Sequence, residues 1–191
     1  MLVDLLKKNR SYRRFYQSER ISEKKLTNLV GLARYCSSAG NLQPLKYYCV
    51  TEEKTCDNLF HSIKWAAALP DWEGAVEGER PSAYIIQTLD LNISKSCLSD
   101  DGIQLEAISL GAVEAGLGVC IIKSFNLAKV KEILDVQENH KLMYIMALGK
   151  PKEEVVIEDL KGNQVNYWRD KKAVHHVPKR RAEDLVIKVS K

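Results

Sequence analysis

The sequence lacks most of the short motifs that identify metal and nucleotide sites. Its five cysteines never form a CxxC pair, so no zinc-ribbon or dithiol redox motif is visible. The GxGxxG fingerprint of dinucleotide-binding folds is absent, and Ile122 precedes Lys123-Ser124 where a P-loop requires glycine. These absences predict no metal site and exclude the commonest nucleotide-binding loops.

Long apolar runs are also missing. No stretch is long enough to span a bilayer, and the first residues, MLVDLLKKNRSYRRF, become charged too early for a signal peptide. The scattered cysteines mostly lie beside apolar residues, which is typical of free thiols in a reducing compartment. We therefore expect a cytoplasmic protein with no membrane partner.

The positive charge is too small to require a nucleic-acid partner, since the formal net charge is only +4. The basic end, KRRAEDLVIKVSK, contains no aromatic residue, whereas single-stranded nucleic-acid sites interleave aromatic and basic side chains. We expect no nucleic-acid partner, and a small basic nucleic-acid-binding module is the less favoured alternative.

A length of 191 residues with 45% hydrophobic and 28% charged residues is typical of one globular domain. Apolar patterns predict strands at 47–51, 83–91, 119–122 and 141–151, and helices at 22–35, 52–68, 100–115 and 126–135. Strands separated by helices indicate an α/β or α+β sheet. Residues after Pro151 are more polar, and we expect them to wrap over a surface of this subunit or of a partner.

The segment NRSYRRFY, residues 9–16, concentrates two arginines and a hydroxyl within one turn. Arg10, Ser11 and Arg13 suit a phosphate, because guanidinium forks match phosphate oxygens. The alternative is a solvated basic patch beside packed Tyr12 and Phe15.

The segment SSAGNLQP, residues 37–44, contains almost nothing that fills a core. Short polar side chains and the backbone freedom of Gly40 would let this loop approach a flat polar ligand closely. A plain polar connection from helix to strand is the alternative.

The segment HHVPKRR, residues 175–181, carries three consecutive cations. They either bind a phosphate or solubilise a tail, and the adjacent histidines make a poor chelating pair because they point to opposite faces of an extended chain. In GLGVCIIKSF, residues 116–125, the glycines indicate the end of a helix followed by a buried strand.

In this order the segments resemble the FMN-dependent nitroreductase family over nearly the whole chain. NRSYRRF resembles the family's R-x-S-x-R-x-F motif, and SSAGNLQP resembles its P-S-A-x-N-x-Q-P loop. DGIQLEAISLGAVEAGLGVCII resembles the central helix and the next strand, GKPKEEV the exit from the last core strand, and VPKRRAEDLV the basic C-terminal phosphate clamp.

The resemblance implies an α+β fold with a mixed central sheet flanked by helices, in an intertwined homodimer. Residues 1–191 would form one domain, with a core at 1–150 and an extended segment at 151–191 that wraps the partner subunit. Tightly bound FMN would lie at the subunit interface.

The resemblance also implies a set of cofactor-binding residues. The N-terminal motif and the basic clamp would contact the phosphate, the ribityl chain or the ring edge; the loop would line the flavin from the partner; and the strand end would pass the other side of the ring. The N-terminal motif supplies Arg10, Ser11, Tyr12 and Arg13, and the basic clamp supplies Lys179 and Arg180. The loop supplies Ser37, Ser38, Ala39 and Asn41, and the strand end supplies Ile121, Ile122 and Lys123.

Three details depart from the family pattern or stay open. Asn9 stands where the family often has a further arginine, and Lys123 stands where glycine is frequent. An ammonium near the flavin N1–C2 edge would stabilise the anionic reduced flavin, which is our hypothesis for Lys123. Whether Arg180 or Arg181 meets the phosphate is open.

The implied activity is hydride transfer from NAD(P)H to FMN and on to a small electron-poor acceptor, such as a nitroaromatic or a quinone, with no catalytic side chain. Trp65 and Trp72 either cover the acceptor pocket or pack in the core. The alternative is a flavin-storing or flavin-fragmenting protein without NAD(P)H turnover.

Overall fold

The computed structural model describes residues 1–190, and Lys191 lies outside the described residues. The chain forms five α-helices and eight strands, with short 3-10 turns between some of them. Helices and strands alternate up to the fifth strand, and three more strands then follow without an α-helix between them. Their bounds are α1 Leu2–Lys8, β1 Phe15–Tyr16, α2 Glu23–Gly31, β2 Leu45–Val50, α3 Glu53–Phe60, β3 Ala83–Asp90, α4 Asp100–Glu114, β4 Gly118–Ile122, α5 Leu127–Leu134, β5 His140–Pro151, β6 Val155–Asp159, β7 Trp168–Arg169 and β8 His175–Lys179.

The central sheet has the order β2-β3-β5-β4, and β1 pairs with the last two residues of β5. These strand pairs are antiparallel. The only parallel pairing at this sheet within residues 1–190 is an isolated bridge between Ser11 and Val119 of β4. The predicted α+β fold is confirmed.

Helices cover both faces of this sheet, which explains why β3 and β5 are apolar without alternation. On one face, Tyr84 and Ile145 pack with α3 and α5. On the other face, Ile85 and Met146 pack with α2 and α4. Each such buried aliphatic side chain contributes about 1.5–3 kcal/mol of transfer free energy.

Helix α3 is shorter than the sequence predicts. It ends at Phe60 rather than near Ala68, so the prediction for residues 52–68 is wrong in its second half. The backbone leaves the helix because Lys64 N–H donates to Ser124 O at 2.9 Å, and Ile63 forms a bridge with Phe125. Apolar side chains after Phe60 fill the core from an irregular segment instead.

The C-terminal segment folds into a second sheet of order β6-β8-β7. Strands β6 and β8 are parallel, and β7 and β8 are antiparallel. The ring of Trp168 stacks on His176 of the same chain, with centroids 4.0 Å apart. That residues 151–191 also embrace a partner subunit stays a prediction.

No helix within residues 1–190 combines the length and the apolar content needed to cross a membrane. The five cysteines are free thiols, three of them buried.

Candidate cofactor site

The two ends of the chain meet in a cleft of about 310 Å³, which we call the arginine cleft. The N-terminal motif supplies one wall and the second sheet supplies the other. The lining residues are Asn9, Arg10, Ser11, Arg13, Tyr167, His175, Val177 and Lys179. Four residues expected to bind the cofactor from opposite ends of the sequence therefore line one cavity: Arg10, Ser11, Arg13 and Lys179. Their contact with FMN stays a prediction.

Asn9 fastens the start of this wall to α4. Its side-chain amide donates to Glu106 Oε1 at 3.1 Å and to Ser109 Oγ at 2.8 Å. Asn9, which stands where the resembled family often has arginine, therefore anchors the turn after α1 to α4. Arg10, which follows it, donates from Nη2 to Leu6 O at 2.8 Å, while its buried Nε has no hydrogen-bond partner within residues 1–190.

The backbone of the N-terminal motif is held by the carboxylate of Glu153, whose side chain is fully buried. Glu153 Oε1 accepts hydrogen bonds from the backbone N–H groups of Arg13 and Arg14. Its Oε2 accepts from Arg169 Nη2 at 2.9 Å. Because a buried carboxylate is stable only when its oxygens are satisfied, this network ties the motif to the second sheet.

The Arg13 side chain is fixed from three directions. Its guanidinium lies over the Tyr167 ring, 4.6 Å from the centroid. Nη1 donates to Ser11 O at 3.1 Å and lies 3.2 Å from His175 Nε2. These contacts preorganise a cation that would otherwise sample many rotamers.

His175 is neutral at pH 7 in this environment. Its side chain is almost fully buried. Burial lowers its pKa to about 4, and the nearby positive charge of Arg13 and Arg169 adds to the effect. A neutral imidazole can accept a hydrogen bond from the Arg13 guanidinium, whereas an imidazolium would repel it.

Tyr12 lies outside the lining of the arginine cleft. Its ring packs against Gly118, where an added Cβ would come within 2.7 Å of Tyr12 Cδ2. Its hydroxyl donates to Lys8 O at 3.1 Å, and its N–H donates to Val119 O at 3.0 Å. Burial raises the pKa of this hydroxyl. Tyr12 therefore holds the N-terminal motif against β4 through these contacts.

The loop at residues 37–44 is anchored to the start of α4. The buried carboxylate of Asp100 accepts from Ser38 Oγ at 2.5 Å and from Ala39 N–H at 3.0 Å. The backbone then passes through positive φ at Gly40, Asn41 and Gln43, which produces a tight and defined turn.

This loop does not meet the arginine cleft within the subunit. Asn41 and Gln43 line a separate cleft of about 220 Å³, together with Cys36, Tyr47 and Gln104. The two clefts share no lining residue. Ser37, Ser38 and Ala39 line neither of them.

At the end of β4, consecutive side chains face different surroundings. Ile121 is 39% exposed, whereas the Ile122 side chain packs in the core. Lys123 Nζ lies 4.7 Å from the centroid of the Tyr144 ring and donates to its hydroxyl at 3.2 Å. That hydrogen bond raises the pKa of Lys123. Lys123 lines a third cleft of about 570 Å³, which we call the lysine cleft.

The cations of the basic clamp begin at the last residue of β8, and they lie in different surroundings. Lys179 lines the arginine cleft, while the exposed Arg180 does not. Arg181 pairs with Asp159 at 3.2 Å and with Glu183 at 3.8 Å. Neither Arg180 nor Arg181 therefore lies in the lining.

Trp65 and Trp72 pack inside this subunit. Trp65 is buried beside Phe60, with ring centroids 5.2 Å apart. The Arg169 guanidinium lies 4.2 Å from the centroid of the Trp72 ring. These contacts favour the core-packing interpretation for Trp65, and they connect Trp72 to the network around Glu153.

Three residues of the site were missed from the sequence: Glu153, His175 and Asp100. Glu153 and His175 contact Arg13 across 140 and 162 residues, so no local pattern shows them. The alternation in HHVPK places His175 inward, which is the one available signal.

Known proteins of one family match this chain in both sequence and structure. The sequence model described as the Nitroreductase family matches residues 6–95 and 98–150. A nitroreductase family protein from Clostridium novyi NT is 28% identical, with 80% of this chain and 86% of that chain covered and a TM-score of 0.64.

Two further relatives are more distant. An FMN-dependent nitroreductase from Clostridium difficile R20291 is 21% identical, with 84% of this chain and 92% of that chain covered and a TM-score of 0.64. A protein from Archaeoglobus fulgidus, provisionally named NADH dehydrogenase/NAD(P)H nitroreductase, is 23% identical over 74% of this chain and 80% of its own length.

Proposed function

Because the chain belongs to the nitroreductase family, we propose that it is an FMN-dependent NAD(P)H oxidoreductase of the nitroreductase type. The chemistry that bound FMN supplies is hydride acceptance from reduced nicotinamide and reduction of an electron-poor acceptor, such as a nitroaromatic or a quinone. The names of the Clostridium difficile and Archaeoglobus fulgidus relatives support the cofactor and the reductant.

The arginine cleft is the observation that carries this proposal. Arg10, Arg13 and Lys179 bring three cations to one cavity, and the exposed Ser11 adds a hydroxyl. The buried Arg10 Nε–H lacks a protein partner among the described residues, so it is free for a ligand oxygen. This donor set fits a phosphate dianion, for which charge-assisted and forked hydrogen bonds are the strongest contacts.

The surrounding residues position these donors and take no part in bond making. Glu153 fixes the backbone of the motif, and neutral His175 together with Tyr167 aligns Arg13. The partly exposed Ile121 side chain would exclude water beside the flavin ring. We assign no side chain a catalytic role.

We further propose that the active form is a homodimer in the cytoplasm. The loop at 37–44 does not reach the arginine cleft of its own subunit, so a partner's loop would complete the site. Exposed apolar side chains support an interface: Ile103 on α4 is 43% exposed, and Ile187 and Val189 in the tail are 102% and 73% exposed. Five free thiols suit a reducing compartment.

An anaerobic absorbance spectrum tests the proposal. Purified protein supplied with FMN is recorded before and after addition of NADH and then of NADPH. Bleaching of a bound flavin band is the expected result. A bound flavin that keeps its colour would favour flavin storage or fragmentation, and failure to retain any flavin would contradict the proposal.

A further inference from the structure

The lysine cleft is the largest of the described cavities and lies outside the arginine cleft. It forms where the segment after α3 meets the end of β4. Its walls are joined by backbone hydrogen bonds, from Lys64 N–H to Ser124 O at 2.9 Å and from Asn126 N–H to Ser62 O at 2.8 Å. The cavity therefore has a fixed frame although its cationic side chains are exposed.

The lining of this cleft is positively charged. Its charged side chains are those of Lys64, Lys123 and Lys129; His61 also lines it, and no aspartate or glutamate does. Within residues 1–190, none of these lysines lies within 4.0 Å of a carboxylate oxygen. Two acidic groups lie close by: Asp57 is 3.8 Å from His61, and Glu132 lines the adjoining cleft with Lys129.

The start of α5 adds to the positive potential. Asn126 caps the helix by accepting from Lys129 N–H at 3.1 Å, and it also lines the cleft. The first turn of α5 contains no acidic residue to neutralise the free N–H groups. Helix N-termini of this kind favour anions.

We propose that the lysine cleft is a second phosphate-binding site. Ammonium groups are compact point charges that suit phosphate oxygens, and exposed lysines suit a ligand that exchanges. Two small-molecule sources share this chemistry: the 2′-phosphate of NADPH, or the phosphate of a phosphorylated acceptor. The NADPH assignment rests on the proposed function, whereas the phosphate site itself does not.

Isothermal titration calorimetry tests the proposal with three probes: adenosine 2′,5′-bisphosphate, adenosine 5′-monophosphate and pyrophosphate. Each is titrated into the full chain with FMN in excess and without FMN. The bisphosphate or pyrophosphate should bind the wild type at least about tenfold tighter than the monophosphate. The Lys64→Gln/Lys129→Gln variant should lose about tenfold or more of that affinity. Lys171→Gln/Lys172→Gln, which removes two exposed charges elsewhere, is the matched control.

Selective binding of the bisphosphate that the cleft variant loses supports the site with NADPH as its source. Pyrophosphate binding with the same loss, but no preference for bisphosphate over monophosphate, supports the site with a phosphorylated acceptor. Absence of binding, or equal binding by the cleft variant and the control, overturns it. Because the readout needs no turnover, a failed flavin-reduction experiment would leave this result interpretable.

Discussion

The arginine cleft and the lysine cleft both collect positive charge, but they hold it in different ways. Arg13 lies in the arginine cleft with its side chain over Tyr167, its guanidinium beside His175 and its backbone bonded to Glu153. Lys64 and Lys129 in the lysine cleft are exposed and unpaired within residues 1–190.

The two clefts are therefore suited to different kinds of ligand. Fixed arginines lose little conformational entropy when a ligand arrives, which suits a cofactor that stays bound. Exposed lysines without an ion-pair partner give up more, which suits a ligand that exchanges. Substitutions in the arginine cleft should therefore cost more stability than substitutions in the lysine cleft.

Replacing the buried carboxylate should damage the arginine cleft most. Glu153→Gln leaves Arg169 without its ion-pair partner, so we expect the free energy of unfolding to fall by about 3 kcal/mol. Chemical denaturation measures this loss. Glu154→Gln, at the adjacent exposed position, should have little effect, and equal losses in the two variants would show that the network is not what holds the motif.

Crowding the contact between Tyr12 and β4 should be the next largest change. A Cβ at Gly118 would lie within 2.8 Å of side-chain atoms of Tyr12 and Pro151, so Gly118→Ala should cost about 1–3 kcal/mol. Gly102→Ala on α4 is the control, because a Cβ there meets nothing within 4 Å. Thermal unfolding should show destabilisation for Gly118→Ala and none for Gly102→Ala.

The apolar patterns at 83–91, 141–151 and 100–115 predict β3, β5 and α4, and the structure confirms all three. The end of α3 was misplaced, because a long-range bridge to Phe125 diverts the backbone after Phe60.

Family resemblance selected cations from both chain ends that the structure places in one cleft. The matched segment GKPKEEV contains Glu153 but assigns it no role, because the contacts that make this carboxylate important join residues about 140 positions apart. A residue whose role depends on contacts with residues far away in the sequence leaves no periodic pattern in the chain.

Acidification should weaken the arginine cleft through His175. Its pKa is about 4 when folded and about 6.5 when unfolded, so the unfolded state binds the proton first. Stability should therefore fall by about 2 kcal/mol as the pH drops from about 7 to 5. Denaturation curves measured between pH 7 and 5 should show this slope for the wild type and for His61→Gln, and a smaller slope for His175→Gln. Parallel slopes in all three proteins would contradict the assignment.

The lysine cleft should contribute least to stability. Lys64→Gln/Lys129→Gln alters exposed side chains without buried contacts, so the free energy of unfolding should change by less than about 0.5 kcal/mol. Urea denaturation measures it. A larger loss would mean that these lysines support the fold, and the contrast between the clefts would not hold.

Riboflavin lacks only the phosphate of FMN, so the two flavins together test whether the arginine cleft holds that phosphate. Fluorescence titration of flavin-free protein should show that the wild type binds FMN at least about 100-fold tighter than riboflavin. The Arg10→Gln/Lys179→Gln variant should lose most of that preference while binding riboflavin as before, and Arg181→Gln, which changes a cation paired with Asp159, should keep it. Equal affinity of the wild type for the two flavins, or an unchanged preference in the cleft variant, would contradict the claim that the arginine cleft holds the cofactor's phosphate.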